Sequence, residues 1–148
     1  MITRPVKYAV TPTLAVAGAY AANDIIGGRL RFQGLREGKI TSIMVTDKAA
    51  QNVAYGLILF DSIPTDITDN ATFDVADADL LKIFYHTLIP TTERVALTDN
   101  SFSILYGVNK SVRVVNDDVL GFLYTTGDPT FTSLDITVTL EVEANGMV

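Results

Sequence analysis

Residues 134–143 read LDITVTLEVE, with an apolar side chain at every second position. Successive side chains of a β-strand point to opposite faces, so this alternation predicts a strand with one buried and one solvated face. At about 3.3 Å per residue the strand would be roughly 33 Å long, enough to cross a β-sandwich from end to end. The residues predicted to be buried are Leu134, Ile136, Val138, Leu140 and Val142.

Other segments rich in β-branched and apolar residues predict further strands. Val53–Asp61 is nearly all apolar, which indicates a central strand, and residues 48–52 would join it to the preceding strand as a hairpin loop. A second hairpin turn is expected at residues 34–40, and Asn109-Lys110 is the turn signal between two later strands. The additional predicted strands are Arg29–Gln33, Lys39–Asp47, Ser101–Tyr106, Ser111–Val115 and Val119–Thr126.

One segment in the middle of the chain resists the strand pattern. Ala76–Leu81 suits a short helical turn, whereas Ile83–Ile89 would return to a strand that Pro90 ends. Seven or eight short strands with this insertion predict an all-β fold, namely a jelly-roll-like antiparallel β-sandwich with one short helical turn.

The length of 148 residues lies near the commonest domain size, and the prolines and glycines form no low-complexity tract. We therefore expect a single domain over residues 1–148, with an extended N-terminal segment at about residues 1–13. Residues 1–22 imitate a signal peptide only faintly, because prolines, threonines and Gly18 interrupt them, so no signal peptide is expected. No apolar run approaches the roughly 18 residues of a membrane-spanning helix.

The charge balance limits the classes of partner that this chain can bind. A net charge of −6 has the wrong sign for an unspecific nucleic-acid binder, so no direct contact with nucleic acid is expected. Only 19% of the residues are charged, below the roughly 25% of ordinary soluble domains. A surface that is short of charge is often covered by a neighbouring subunit, which favours an oligomer. The chain has no cysteine, so neither disulfides nor thiolate metal sites stabilise it.

The sequence offers little for catalysis. His86 is the only histidine, and it lies in an apolar run without a nucleophile motif, so an ordinary strand histidine is expected. Glu141 and Glu143 share one face of the last strand, where two carboxylates could in principle form a glycosidase-type pair, although solubilising charge is the simpler interpretation. We predict a non-enzymatic protein without cofactors.

Two features leave alternatives open. An acidic stretch without lysine or arginine lies between Lys48 and Lys82, and it is either a calcium-binding loop or a solvated loop whose aspartates cap turns, as at Asp77. Four aromatic residues would either line a sugar-binding platform or belong to the core. The acidic residues are Asp61, Asp66, Asp69, Asp74, Asp77 and Asp79, and the aromatic residues are Tyr106, Phe122, Tyr124 and Phe131.

Several segments together resemble small structural proteins encoded in tailed-phage genomes. The opening TPT at residues 11–13 and AYAANDIIGGRLRF at residues 19–32 are similar to the start of those proteins. IMVTDK at residues 43–48 and LILFD at residues 57–61 resemble their paired strands. DNATFDVADADL at residues 69–80 resembles their acidic loop with its helical turn, and residues 134–142 resemble their final strand.

This resemblance implies a capsid decoration (cement) protein with a jelly-roll fold. Such a protein would be a virion component on the capsid exterior, assembled in the bacterial host cytoplasm, and would bind and stabilise the shell of the major capsid protein. It would form a homo-oligomer, with a trimer as the expected state, and would contact no membrane. The alternative is a receptor- or carbohydrate-binding module of a phage tail or baseplate.

Two oppositely charged regions are predicted to contact partners, because complementary charge sets the orientation of a complex. One is basic and N-terminal, and the other is the acidic stretch. Residues 1–13 could also lie extended along a partner. The predicted contact residues are Arg4, Lys7, Arg29, Arg31, Arg36, Asp66, Asp69 and Asp74. An equally open alternative is that these charges only keep the particle soluble.

Overall fold

The computed structural model describes residues 5–14 and 18–144 of the chain. Within these residues it contains eleven β-strands and two 3-10 helices, Asp77–Lys82 and Thr91–Glu93. The strands are β1 Pro5–Val10, β2 Gly18–Ala19, β3 Ile25–Phe32, β4 Glu37–Asp47, β5 Tyr55–Phe60, β6 Ile83–Ile89, β7 Arg94–Ala96, β8 Ser101–Arg113, β9 Val119–Thr125, β10 Thr130–Phe131 and β11 Ile136–Glu143. The first 3-10 helix is the predicted helical turn, and the second was not predicted.

The strands form two antiparallel sheets and one short ladder. Sheet 1 has the order β1-β11-β4-β8-β7, sheet 2 has the order β3-β9-β5-β6, and β10 pairs with β2. Apart from β5–β6 and β7–β8, each connection between the long strands crosses from one sheet to the other. This is the strand order of a jelly roll, so the predicted fold class is confirmed.

The core lies between the two sheets. Ile136, Val138, Leu140 and Val142 of β11 are buried in it, as the alternation predicted. Leu134 is an exception, because it lies before the strand with a φ of 66° and is 48% exposed. The turn in which it lies is fixed by Asp135, whose carboxylate accepts hydrogen bonds from the backbone N–H and hydroxyl of Thr132.

Both predicted hairpin loops are wrong. Residues 48–54 and 33–36 connect strands of different sheets, because β4 belongs to sheet 1 whereas β3 and β5 belong to sheet 2. Asp47 starts the first crossing: its carboxylate accepts hydrogen bonds of 2.7 Å from the N–H groups of Ala49 and Gln51 and turns the chain out of the sheet. Burial raises the pKa of Asp47, despite these two hydrogen bonds.

The turn predicted at Asn109-Lys110 is a bulge within one strand. Gly107 and Asn109 have φ angles of 70° and 51°, yet β8 continues through them to Arg113. Ile40 pairs with Lys110 and Ser42 with Tyr106, so β8 carries additional residues opposite Thr41. Two left-handed residues therefore kink the strand without ending it.

The N-terminal segment is also part of the sandwich. Residues 5–10 form β1, the edge strand of sheet 1, in antiparallel register with β11 from Pro5–Glu143 to Val10–Val138. Tyr8 and Val10 pack against the core, which explains why this part is held to the sheet instead of extending towards a partner. Residues 1–4, including the predicted contact residue Arg4, lie outside the described part of the chain.

Candidate functional site

The acidic stretch, residues 61–82, folds over the outer face of sheet 2. That face carries a second apolar cluster, on which Ile67, Phe73 and Val75 of the acidic stretch pack. The ring of Phe73 stacks on Tyr124 with centroids 4.4 Å apart and planes within 11°. The sheet residues of the cluster are Ile25, Ile58, Phe60, Phe122 and Tyr124. The segment is therefore a packed covering layer and not only a solvated loop.

Two of its aspartates make internal bonds. Asp79 accepts hydrogen bonds from the N–H of Thr65 at 2.8 Å and from Lys82 Nζ at 2.6 Å, which lower the pKa of its carboxyl group to about 2. Asp69 Oδ1 accepts from Tyr20 Oη at 2.8 Å and from the N–H of Gly27 at 2.7 Å. Asp69 therefore fastens the covering layer to the sandwich, whereas Asp79 links two parts of the layer to each other.

The other expectations for the acidic stretch are not met. The 3-10 helix has Ala76 at its N-cap without a side-chain cap, so the predicted capping by Asp77 is wrong. Asp79 takes a comparable structural role by anchoring the chain at Thr65. Among the described residues, no three histidine, aspartate or glutamate side chains come together in a way that would hold a metal ion.

The predicted basic contact residues are partly engaged within the molecule. Arg31 and Arg36 bind the two oxygens of buried Asp118 at 2.8 and 3.2 Å, and the hydrogen bond from Arg31 is the main cause of that carboxyl's lowered pKa. Arg29 Nη1 donates to the carbonyl of Pro64 at 3.0 Å. The predicted basic and acidic regions thus meet inside one subunit.

Three predicted contact residues remain exposed without a hydrogen bond or ion pair in the described part of the chain, namely Lys7, Asp66 and Asp74. The structure does not bring them together. Lys7 lies on β1 and lines the outer face of sheet 1, whereas Asp66 and Asp74 belong to the layer over sheet 2. Arg31 and Arg36 stay more than half exposed and can still present an edge to a partner.

His86 and the two glutamates of the last strand, Glu141 and Glu143, contact different residues. His86 Nε2 lies 2.7 Å from Tyr124 Oη with the two rings coplanar within 2°. Glu143 faces Lys39 with an N–O distance of 4.0 Å, and Glu141 lies beside Lys7 in the register of β1 and β11. Of the four aromatics, Phe122, Phe131 and Tyr124 are buried, whereas Tyr106 is 74% exposed.

The clearest candidate site is a sheet margin that we call the β6 edge, defined as residues 80–89, that is β6 with the preceding Leu80, Leu81 and Lys82, whose ammonium is bonded to Asp79 and to the carbonyl of Ile63. β6 ends the order of sheet 2 and reads IFYHTLI, without any formally charged side chain. Leu81 is 96% exposed and Leu88 is 54% exposed. An edge strand offers a row of unpaired N–H and C=O groups that another chain can pair with.

The other described margins carry features that discourage such pairing. The layer from residues 61–82 covers β3, where Asp24 bridges to Thr72. β1 contains Pro5 and Lys7, β7 has only three residues, and the bulge interrupts β8. The β6 edge therefore stands out. The sequence held a signal for it, since residues 83–89 are uncharged, but not that this strand would lie at a margin.

None of the helices in residues 5–14 and 18–144 is long and apolar enough to cross a membrane. A comparison with protein-family models finds no match, and a search of curated proteins finds none either.

Proposed function

We propose that this chain is a non-enzymatic virion structural protein, a decoration or cement protein that binds the exterior of a phage capsid as a homotrimer. The observation that carries the proposal is the β6 edge. Among the described residues the other margins are covered, kinked or charged, whereas β6 pairs with β5 on one side and leaves its other side unpaired, with Leu88 on the strand and Leu81 just before it exposed. Shell-bound proteins need such a surface to assemble.

Packing energetics support an assembly role for this edge. Contact with a neighbouring subunit would bury the side chains of Leu81 and Leu88. Each Å² of apolar area removed from water would stabilise the complex by roughly 25 cal/mol. Pairing the backbone of β6 satisfies polar groups along the same line. In a trimer these contacts are heterologous, so the β6 edge of one subunit meets a different surface of the next and the ring closes after three copies.

The distribution of polar groups supports a structural role over an enzymatic one. Asp69 and Asp118 are held in bonds that fasten loops to the sandwich, and Asp79 is held in bonds within the covering layer. His86 is hydrogen-bonded to Tyr124, which belongs to the apolar cluster on the outer face of sheet 2. These are bonds that stabilise a rigid subunit, as a shell-stabilising protein requires.

For the shell contact, the exposed and uncommitted charges are the proposed determinants. Lys7 lies on one outer face of the sandwich, and Asp66 and Asp74 lie on the other. Deleting residues 1–7 would remove part of β1, so point variants are the sharper tool.

The test is cosedimentation with capsids assembled without this chain, followed by a thermal melt of the particles. Wild-type protein should cosediment and raise the melting temperature of the shell. If the outer face of sheet 1 contacts the shell, Lys7→Glu should reduce the amount of protein bound to the capsid. If the layer over sheet 2 does so, the double variant Asp66→Lys with Asp74→Lys should reduce it. Val115→Lys serves as the matched exposed control. Absence of wild-type protein from the particle fraction would overturn the proposal.

A further inference from the structure

The outer face of sheet 1 carries a shallow depression of about 230 Å³. Its position follows from strand register: Lys7 pairs with Glu141, Glu141 with Ser42, and Ser42 with Tyr106. These four residues form a row across β1, β11, β4 and β8, about 14 Å long at roughly 4.8 Å per strand. Thr139, Met44 and Ile104 lie in the next row and complete the floor.

The polar groups of this row are uncommitted. The Lys7 ammonium, the Glu141 carboxylate and the hydroxyls of Ser42, Thr139 and Tyr106 make no hydrogen bond or ion pair with described residues. Elsewhere in the molecule, charged groups such as Asp79 and Asp118 are saturated by internal partners. The depression therefore gathers free donors and free acceptors within reach of one small ligand.

Tyr106 supplies the aromatic part of the surface, beside Met44 and Ile104. Its side chain is 74% exposed although an aromatic ring gains from burial, and it comes just before the bulge that Gly107 and Asn109 create in β8. The bulge fixes where this ring stands on the sheet. An exposed ring beside free hydroxyl, carboxylate and ammonium groups matches a sugar, which presents an apolar C–H face and a rim of hydroxyls.

We propose that this depression binds a neutral oligosaccharide, with one sugar ring stacked on Tyr106 and sugar hydroxyls bonded to Glu141, Ser42 and Lys7. The charges favour a neutral ligand, because Glu141 and the net charge of −6 disfavour anionic sugars and Lys7 disfavours cationic ones. At about 230 Å³ the depression is smaller than the roughly 300 Å³ at which pockets for drug-sized ligands begin, so it would hold about one ring of a sugar chain whose other rings lie outside it. Lys7 belongs to both proposals, but this inference does not rest on the capsid proposal, because it is argued from the residues of the depression and not from the β6 edge, which lies in the other sheet.

The test is NMR titration of the isotope-labelled full chain with neutral hexasaccharides of glucose, galactose, mannose and N-acetylglucosamine. At about 10 mM sugar, a dissociation constant near 1 mM, which is about −4 kcal/mol, gives nearly full occupancy. At least one sugar should shift the amides of Ser42, Tyr106 and Glu141. Tyr106→Ala removes the ring and should weaken binding about tenfold. Tyr106→Phe, which keeps the ring, and Val115→Ala should bind like wild type.

Three results would overturn the inference. One is no shift with any of the four sugars, and another is unchanged affinity in Tyr106→Ala. The third is a change of molecular mass in Tyr106→Ala, which would identify the face as a contact between copies of the chain. Failure here leaves the cosedimentation result unaffected, so the two proposals fail separately.

Discussion

At the scale of single residues, aspartates account for much of how this fold is closed. Asp47 turns the chain from one sheet to the other, Asp118 holds two arginines, Asp69 fastens the layer over sheet 2 to the sandwich, and Asp79 links two parts of that layer. An acidic surplus that looks like surface charge in the sequence is thus partly internal. Hydrogen bonds from Lys82 to Asp79 and from Arg31 to Asp118 favour the ionised carboxylates and lower the pKa of both groups, so their contribution to stability is lost at acid pH.

Asp79 gives the sharpest pH prediction. Its folded pKa of about 2 lies below the unfolded value of about 3.9. The ionised group therefore stabilises the fold above about pH 4, and this contribution is lost as the pH falls towards 2. We expect Asp79→Asn to lower the melting temperature at pH 7 and to converge on wild type as the pH falls from 4 to 2.

Thermal melts across this pH range measure the effect. Asp66→Asn is the matched control, because Asp66 is exposed and has no bond within the described residues, so it should follow wild type throughout. A constant gap between Asp79→Asn and wild type down to pH 2 would contradict the role given to Asp79.

At the scale of elements, what could be predicted from sequence depended on whether the determining contacts are local. The alternation of residues 136–143 and the apolar run of β5 identified their strands correctly. Sheet membership is not local: nothing in residues 48–54 says that the chain leaves sheet 1. The bulge in β8 was taken for a turn because Asn109 has turn chemistry, although register with β4 continues beyond it.

The facing of β11 can be tested by paired substitutions. Leu140→Asp would place an unpaired carboxylate in the core, at a cost of several kcal/mol against a total stability of roughly 5–15 kcal/mol, so the domain should unfold. Thr137→Asp lies on the outer face and should cost about 1 kcal/mol or less. Circular dichroism melts rank the two variants, and a milder effect for Leu140→Asp would show that the facing is reversed.

At the scale of the whole molecule, the candidate sites depend on tertiary placement that the sequence does not reveal. Lys7 and Glu141 are far apart in the chain yet adjacent in the sheet. Tyr106 is exposed, whereas the other three aromatic residues, Phe122, Tyr124 and Phe131, are buried. The contact regions predicted from charge meet within one subunit through Arg29 and Pro64. In the part of the chain that the structure describes, the proposed surface for assembly is therefore the β6 edge, whose strand carries no formal charge.

The mass of the protein in solution tests that claim most directly. Light scattering at micromolar concentration should report a wild-type particle of three times the 16.0 kDa chain mass. Leu88→Lys and Leu81→Lys should shift it to a folded monomer, whereas Val115→Lys, which changes an equally apolar and 79% exposed residue elsewhere, should leave the trimer intact. A wild-type mass of 16.0 kDa, or a trimer that survives both leucine substitutions, would contradict the assignment of the β6 edge.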